Sequence, residues 1–203
     1  MRSERILRYA FALAVTATAF ALAPAMIRAF APQDDAIDPM MQKWMEAGTP
    51  GPHHAHLEKF VGTWQTAATF WSEPGTEPMV TEGVMKNEMV FDGRYLKGEY
   101  TSEMMGQPFH GSSLWGYNNV AHQYEGVWID SMSTGTTMSF GTCDTDGTVF
   151  TSTVFNWDPM TGRKKQTREI IRCAGDDKYT MTWFETGPDG KEFKSGEIVY
   201  TRK

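Results

Sequence analysis

The sequence is short of positive charge and lacks the motifs of several large protein classes. It has 19 lysines and arginines against 25 acidic residues, a net charge of −6, whereas a nucleic-acid partner demands a basic surface. No Gly-x-Ser-x-Gly occurs, so serines such as Ser131 lack the context of a hydrolase nucleophile. Nothing repeats at a fixed period, and there is no low-complexity tract. The composition therefore argues against nucleic-acid binding and against a repeat architecture.

The first residues have the pattern of a secretory signal peptide. Three arginines fall within the first eight residues, and an uncharged apolar run of 17 residues follows over 9–25. We interpret 1–31 as the signal peptide, cleaved after Ala25 or Ala31; an uncleaved membrane anchor is the alternative, for which the run is short. No cysteine lies near the cleavage region, which argues against a lipoprotein. We therefore expect export to the periplasm or secretion, without stable membrane insertion after cleavage.

Only 2 cysteines are present, Cys143 and Cys173, and export would bring them into an oxidising compartment. Each falls at the downstream end of a predicted strand, and one strand separates the two. Strands two apart lie about 9.5 Å from each other, which is too far for an unstrained bridge unless their ends bend together. A Cys143–Cys173 disulfide and two buried, inert thiols both remain open.

Residues 32–61 are predicted to form a helical leader. Asp38 is a plausible N-cap, with Pro39 at the first helical position, and the helix should end near Gly48. Its methionines and Trp44 lie on one side, so we expect that side to pack on the rest of the domain.

Residues 62–203 are predicted to form one all-β domain. Turn-forming pairs such as Asp92-Gly93 and Asn118-Asn119 separate short strand-like segments. The predicted strands are 62–71, 80–91, 94–104, 108–117, 121–130, 135–143, 148–157, 164–173, 178–186 and 192–202. Every link is too short for a crossover helix, so neighbours should pair antiparallel. Glycines inside the strands would let the sheet curl, and these features together predict a single antiparallel up-and-down β-barrel of about ten strands.

Two sets of residues resemble known proteins. Gly62-Thr63-Trp64 after a short helix resembles the first strand of the calycin superfamily, in which the tryptophan lies beneath a basic side chain from a late strand. The resemblance implies that Arg202 stacks on Trp64. Residues 48–203 also resemble a bacterial, mostly exported family of unknown function with a calycin-like barrel. The matching stretches are GTPGP (48–52), FVGTW (60–64), DGRYL (92–96), MMGQPF (104–109), GYNN (116–119), WIDSMSTG (128–135), DPMTG (158–162) and GPDGKE (187–192).

A barrel with an aromatic interior favours a non-catalytic protein that binds a small apolar or amphipathic ligand. The chain has 7 Trp, 12 Phe, 7 Tyr and 14 Met. Segment 128–135 combines a large aromatic, a carboxylate and hydroxyls at a strand end, which suits either a binding site or a rim loop that satisfies its own backbone. We expect Tyr124, Trp128 and Met138 to line the lumen, and Asp130 and Arg168 to serve as polar anchors.

Three alternatives are weaker. The histidines at 53, 54 and 56 could bind a metal, and His110 or His122 could ligate a haem, but a solvated loop and structural roles explain them better. We expect no metal and no cofactor. The carboxylates scattered over the strands, Glu169 among them, could do acid–base chemistry, but surface ion pairs explain them equally well. A structural or interaction domain is the third alternative and would show an exposed apolar patch.

Overall fold

The computed structural model describes residues 37–203, and the predicted signal peptide, residues 1–31, lies outside the described residues. Helix α1 spans Pro39–Gly48, helix α2 spans Pro52–Ala55, and a 3-10 helix follows at His56–Phe60. None of the helices in this described part has the length and apolar character needed to cross a membrane.

Helix α1 begins as predicted. The Asp38 side chain accepts a 2.7 Å hydrogen bond from the N–H of Met40, which satisfies one of the free donors at the helix start. Trp44 and Met45 are 73% and 54% exposed, so these two side chains are not packed on the barrel as the sequence suggested. After the helix, the Asn119 side chain donates hydrogen bonds to the carbonyls of Ala47 and Thr49.

Ten strands follow with bounds within two residues of those predicted. They are β1 (Gly62–Phe70), β2 (Met79–Val90), β3 (Tyr95–Met104), β4 (Gln107–Asn118), β5 (Gln123–Asp130), β6 (Thr137–Cys143), β7 (Val149–Asp158), β8 (Arg163–Cys173), β9 (Lys178–Thr186) and β10 (Glu192–Arg202). Each strand pairs antiparallel with the next along the chain.

The first and last strands also pair, which closes the barrel. Trp64 lies opposite Arg202 and Phe70 opposite Gly196. Closure leaves no strand with an unpaired edge, so the sheet offers no template for edge-to-edge aggregation. The predicted antiparallel up-and-down barrel is confirmed. A bulge in β10, between Lys194 and Gly196, bends that strand where it passes β9.

The closed end of the barrel is the end at which Trp64, Phe150 and Tyr179 lie. Phe60, at the end of the 3-10 helix, is 2% exposed, and its ring centroid lies 5.5 Å from that of Phe150 and 4.9 Å from that of Tyr179. Tyr179 in turn stacks on Tyr200 at 4.1 Å. Aromatic packing of this density contributes beyond the apolar area it buries. The opposite end is the open end, and it carries the turns after β1, β3, β5, β7 and β9.

Candidate functional site: the barrel cavity

A cavity of about 410 Å³ occupies the barrel between the closed-end aromatics and the open end. Trp115 and Tyr200 belong to both the aromatic cluster and the cavity wall, while Met104 and Thr137 line it near the open-end turns. The space exists because inward positions in the middle of the barrel carry small side chains, which are Ser113, Gly126, Ser139, Val154, Thr167 and Ser195. The rest of the wall is mainly apolar, and its larger aromatic and thioether side chains include Phe70, Tyr100, Phe109, Trp128, Met181 and Trp183.

The deepest charged group in the cavity wall is Glu169, on β8. It is 9% exposed, and its carboxylate accepts a 2.9 Å hydrogen bond from the indole N–H of Trp183. Burial raises the pKa of Glu169 to about 7, and the Trp183 hydrogen bond opposes this rise only in part. A carboxyl group in this state changes its charge near neutral pH.

Trp128 and Asp130 form a fixed unit near the open end. The Asp130 carboxylate accepts the Trp128 indole N–H at 2.9 Å and the backbone N–H of Met132 at 2.9 Å. A Cβ at Gly111 would come within 2.1 Å of the Trp128 ring, so only glycine lets the ring lie against β4. Trp128 therefore lines the cavity, as predicted, whereas Asp130 orients Trp128 and holds the turn, and does not itself line the cavity.

Tyr124 lies at the closed end and not in the cavity wall. It is 2% exposed, and its hydroxyl lies 3.0 Å from Nδ1 of His56 and 3.1 Å from the carbonyl of His53. The His53 ring stacks on Tyr117 at 4.1 Å. The sequence suggested a solvated loop. His56 instead belongs to a helical turn at the closed end, whereas His53 remains exposed, with its ring against Tyr117.

His54 is likewise built into the closed end. It is 6% exposed, and its Nδ1 accepts the N–H of Gly51 at 3.0 Å. Burial lowers the pKa of His54. Within residues 37–203, no three His, Cys, Asp or Glu side chains are grouped as metal ligands would be.

Met138 and Arg168, two predicted lumen residues, lie on the outer face of the barrel. Met138 is 46% exposed, since the neighbouring Thr137 and Ser139 point inward on β6. Arg168 pairs with Glu192 outside the barrel and lies 4.1 Å from the ring centroid of Phe184. Side chains alternate between the two faces of a strand, so each prediction was off by one position.

Arg202 and Trp64 form the predicted contact at the closed end. The guanidinium carbon lies 4.1 Å from the Trp64 ring centroid. The guanidinium also donates hydrogen bonds to the carbonyls of Val61, at 2.8 Å, and Asp176, at 2.9 Å. Gly62 has φ +124°, and a Cβ there would come within 2.7 Å of the guanidinium. The contact therefore joins the start of β1 to the end of β10.

Cys143 and Cys173 are both free and half-buried at the closed end. Burial, with help from Asp144, raises the pKa of Cys143 to about 12, and burial also raises the pKa of Cys173. Both are thiols in this structure, and a Cys143–Cys173 disulfide stays a prediction.

Glu169 is the site residue that sequence reasoning did not separate from the surface carboxylates. A signal was present: Thr167, Glu169 and Ile171 alternate on β8 with Arg168 and Arg172. Two arginines on one face of a strand indicate that the other face points inward.

Comparisons with known proteins match the chain to one family and to solved structures. The model of a family described as "Protein of unknown function (DUF1579)" matches residues 49–202. The crystal structure of Rv2717c from M. tuberculosis is 15% identical, with a TM-score of 0.57, covering 76% of this chain and 99% of that chain. A redesigned beta barrel is 13% identical, with a TM-score of 0.41, over 76% of this chain and 99% of its own. No curated protein matches the sequence.

Proposed function

This chain belongs to the DUF1579 family, and we propose that it binds a small, mostly apolar ligand in the barrel cavity without transforming it. The observation that carries the proposal is the cavity itself. Its volume of about 410 Å³ falls in the range of small-molecule sites, and its wall is mainly apolar, with scattered hydroxyl, amide and carboxyl groups.

The environment of Glu169 favours binding over proton-transfer chemistry. Acid–base catalysis needs a group within hydrogen-bond reach of the proton it moves, and such groups usually work with a second titratable partner. In the described chain, the one hydrogen bond to Glu169 comes from an indole N–H, which does not exchange protons in this pH range. The carboxylate is therefore positioned to anchor a ligand.

The sharpest test places the same new side chain on the two faces of one strand. Ser139 lines the cavity, whereas Met138 beside it is on the outer face. Ser139→Phe should fill the cavity and weaken binding of the neutral fluorescent probe N-phenyl-1-naphthylamine by about tenfold or more, a change of about 1.4 kcal/mol. Met138→Phe is the matched control and should bind the probe like the unmodified protein.

Native mass spectrometry of protein purified from its own host gives an independent test. We expect a retained small molecule that is absent from Ser139→Phe. A clean apo mass together with no probe binding would refute the proposal, and so would undiminished probe binding by a Ser139→Phe variant whose circular dichroism shows it folded.

We further propose that the protein acts outside the cytoplasm, in the periplasm or after secretion. The proposal rests on the arginines and the apolar run at the start of the sequence. Fractionation of the host, followed by mass spectrometry of the intact protein, should find a chain that begins after Ala25 or Ala31. A full-length chain in the cytoplasmic fraction would refute it.

A further inference from the structure

Resting on the proposed function, we propose that the cavity selects a positively charged amphiphile, an apolar body carrying a protonated amine, and that the Glu169 carboxylate binds the amine.

The first step is the incomplete coordination of Glu169. Its Oε2 accepts the Trp183 N–H, and within residues 37–203 no other hydrogen bond or ion pair is made to this carboxylate. Buried charged groups are normally paired, because leaving one unpaired in an apolar setting is costly. Since Glu169 lines the cavity, a ligand can supply the missing donor.

The second step is the sign of the charge in the cavity. Glu169 and Glu185 are its charged lining residues, and no Lys, Arg or His of the described chain lines it. Glu185 is already paired with Lys165, at 2.6 Å. A fatty-acid carboxylate would therefore meet like charge with no cation to bind it, whereas an ammonium would find an unpaired carboxylate.

Aromatic side chains form much of the cavity wall. Trp183 hydrogen-bonds Glu169, and Trp128 and Tyr100 line the same cavity. The faces of aromatic rings attract cations, most strongly when both are desolvated. The wall thus suits both the apolar body and the charged head of the proposed ligand.

The groups that face Glu169 set the sign of the pH dependence. Trp183 on β9 and Ser152 on β7 lie opposite it, and Tyr200 on β10 is the titratable group close enough to interact. Burial, followed by interactions with Tyr100 and Glu169, raises the pKa of Tyr200, so the phenol stays neutral. Because burial places the Glu169 pKa near 7, the carboxyl becomes negative as pH rises through neutrality. Amine affinity should rise over that range, and carboxylate affinity should fall.

The test is displacement of N-phenyl-1-naphthylamine by three ligands with the same chain, dodecylamine, dodecanol and laurate. The two ionic ligands are kept below their micelle concentrations and dodecanol below its solubility limit. We expect dodecylamine to displace the probe at a concentration at least about tenfold lower than laurate does, since each 1.4 kcal/mol is tenfold in affinity. Glu169→Gln should abolish this preference, so that dodecylamine displaces the probe no better than dodecanol does. Glu197→Gln is the control. It removes the carboxylate that pairs with Lys194 on the surface of β10, and it should keep the preference.

The outcomes separate the two proposals. If the probe binds but laurate competes as well as dodecylamine, or Glu169→Gln keeps the preference, the amine inference fails and the proposed function stands. A dodecylamine affinity that falls between about pH 6 and pH 8 would also overturn the inference, because it contradicts the expected linkage. If no probe binds at all, both fail.

Discussion

The closed end and the middle of this barrel follow one strand pattern and differ in the size of their inward side chains. At the closed end the inward positions carry Trp64, Tyr124, Phe150, Tyr179 and Tyr200, each less than 5% exposed. In the middle of the barrel, several inward positions carry serine, threonine or glycine instead. The closed end is consequently filled by side chains, and the rest of the barrel holds about 410 Å³ of space.

The difference indicates that one part of the barrel contributes mainly to stability and the other mainly to binding. Side chains that fill the closed end supply the apolar burial that a barrel of this size requires. The small side chains of the other half give up part of that burial, and the buried Glu169 adds a desolvation cost. Substitutions at the closed end should therefore act on stability, and substitutions in the cavity on binding and its pH dependence.

The largest expected effect is the loss of a closed-end aromatic. Trp64 is 1% exposed, donates its indole N–H to the carbonyl of Phe60 at 2.8 Å, and contacts Tyr179. Trp64→Ala should lower the free energy of unfolding by about 3–5 kcal/mol in urea denaturation. Trp157, 68% exposed, is the matched control, and Trp157→Ala should stay within about 0.5 kcal/mol. Equal losses in the two variants would mean that the closed end is not the stabilising half.

The next effect belongs to the cavity and depends on pH. The unfolded chain ionises Glu169 near pH 4.5, whereas the folded protein does so near pH 7. The folded state therefore binds the proton more tightly, and stability falls as pH rises from about 4.5 to 7, by up to about 3 kcal/mol. Glu169→Gln keeps an acceptor for Trp183 but removes this titration.

The measurement is the difference in unfolding free energy between the wild type and Glu169→Gln from about pH 4 to pH 8. The variant should gain stability relative to the wild type as pH rises, and the gain should level off above about pH 7. Glu197→Gln should show no such gain. A pH-independent difference for Glu169→Gln would indicate that the carboxyl is solvated.

The strands and their order could be predicted because turn chemistry is local. Asp92-Gly93, with φ of +54° and +82°, lies between β2 and β3, where the sequence predicted a turn. Closure also followed from the sequence, through the family resemblance, which implies that Arg202 stacks on Trp64.

The lumen could be predicted only in part because it depends on strand parity. Both faces of these strands carry mixed polar and aromatic residues, so neither face identifies itself as the inner one. Trp128 was placed in the lumen and lines it, while Met138 and Arg168 point outward. Tyr124 does point inward, but its height along the barrel puts it in the packed half. The position of a side chain along the barrel axis and its burial are set by tertiary packing, which no local sequence pattern encodes.

A smaller effect compares two arginines that each lie 4.1 Å from an aromatic ring centroid. Arg202 also donates to backbone carbonyls at the closed end, whereas Arg168 pairs with Glu192 on the outer surface. Arg202→Met keeps the aliphatic stem and should cost about 1–3 kcal/mol through lost cation–π and hydrogen-bond interactions. Arg168→Met should cost less than about 1 kcal/mol, as exposed ion pairs do. Thermal or urea unfolding of both variants measures the two losses of stability. A larger loss for Arg168→Met would contradict the role of Arg202 as the contact that joins the first and last strands.

The smallest expected effect concerns the closed-end thiols, whose chemistry should be suppressed without any change in stability. Because the thiolate is the reactive form and burial raises the pKa of Cys143 to about 12, both cysteines should react with iodoacetamide at about pH 8 at least tenfold more slowly in the folded protein than in urea. Mass spectrometry after unfolding without reductant should find two adducts, and Cys143→Ser should leave one. A chain from its native compartment that takes up no adduct in urea would carry the bridge instead. A disulfide would then contribute to the stability of the closed end. The difference in stability between the two parts of the barrel would no longer depend on side-chain size alone.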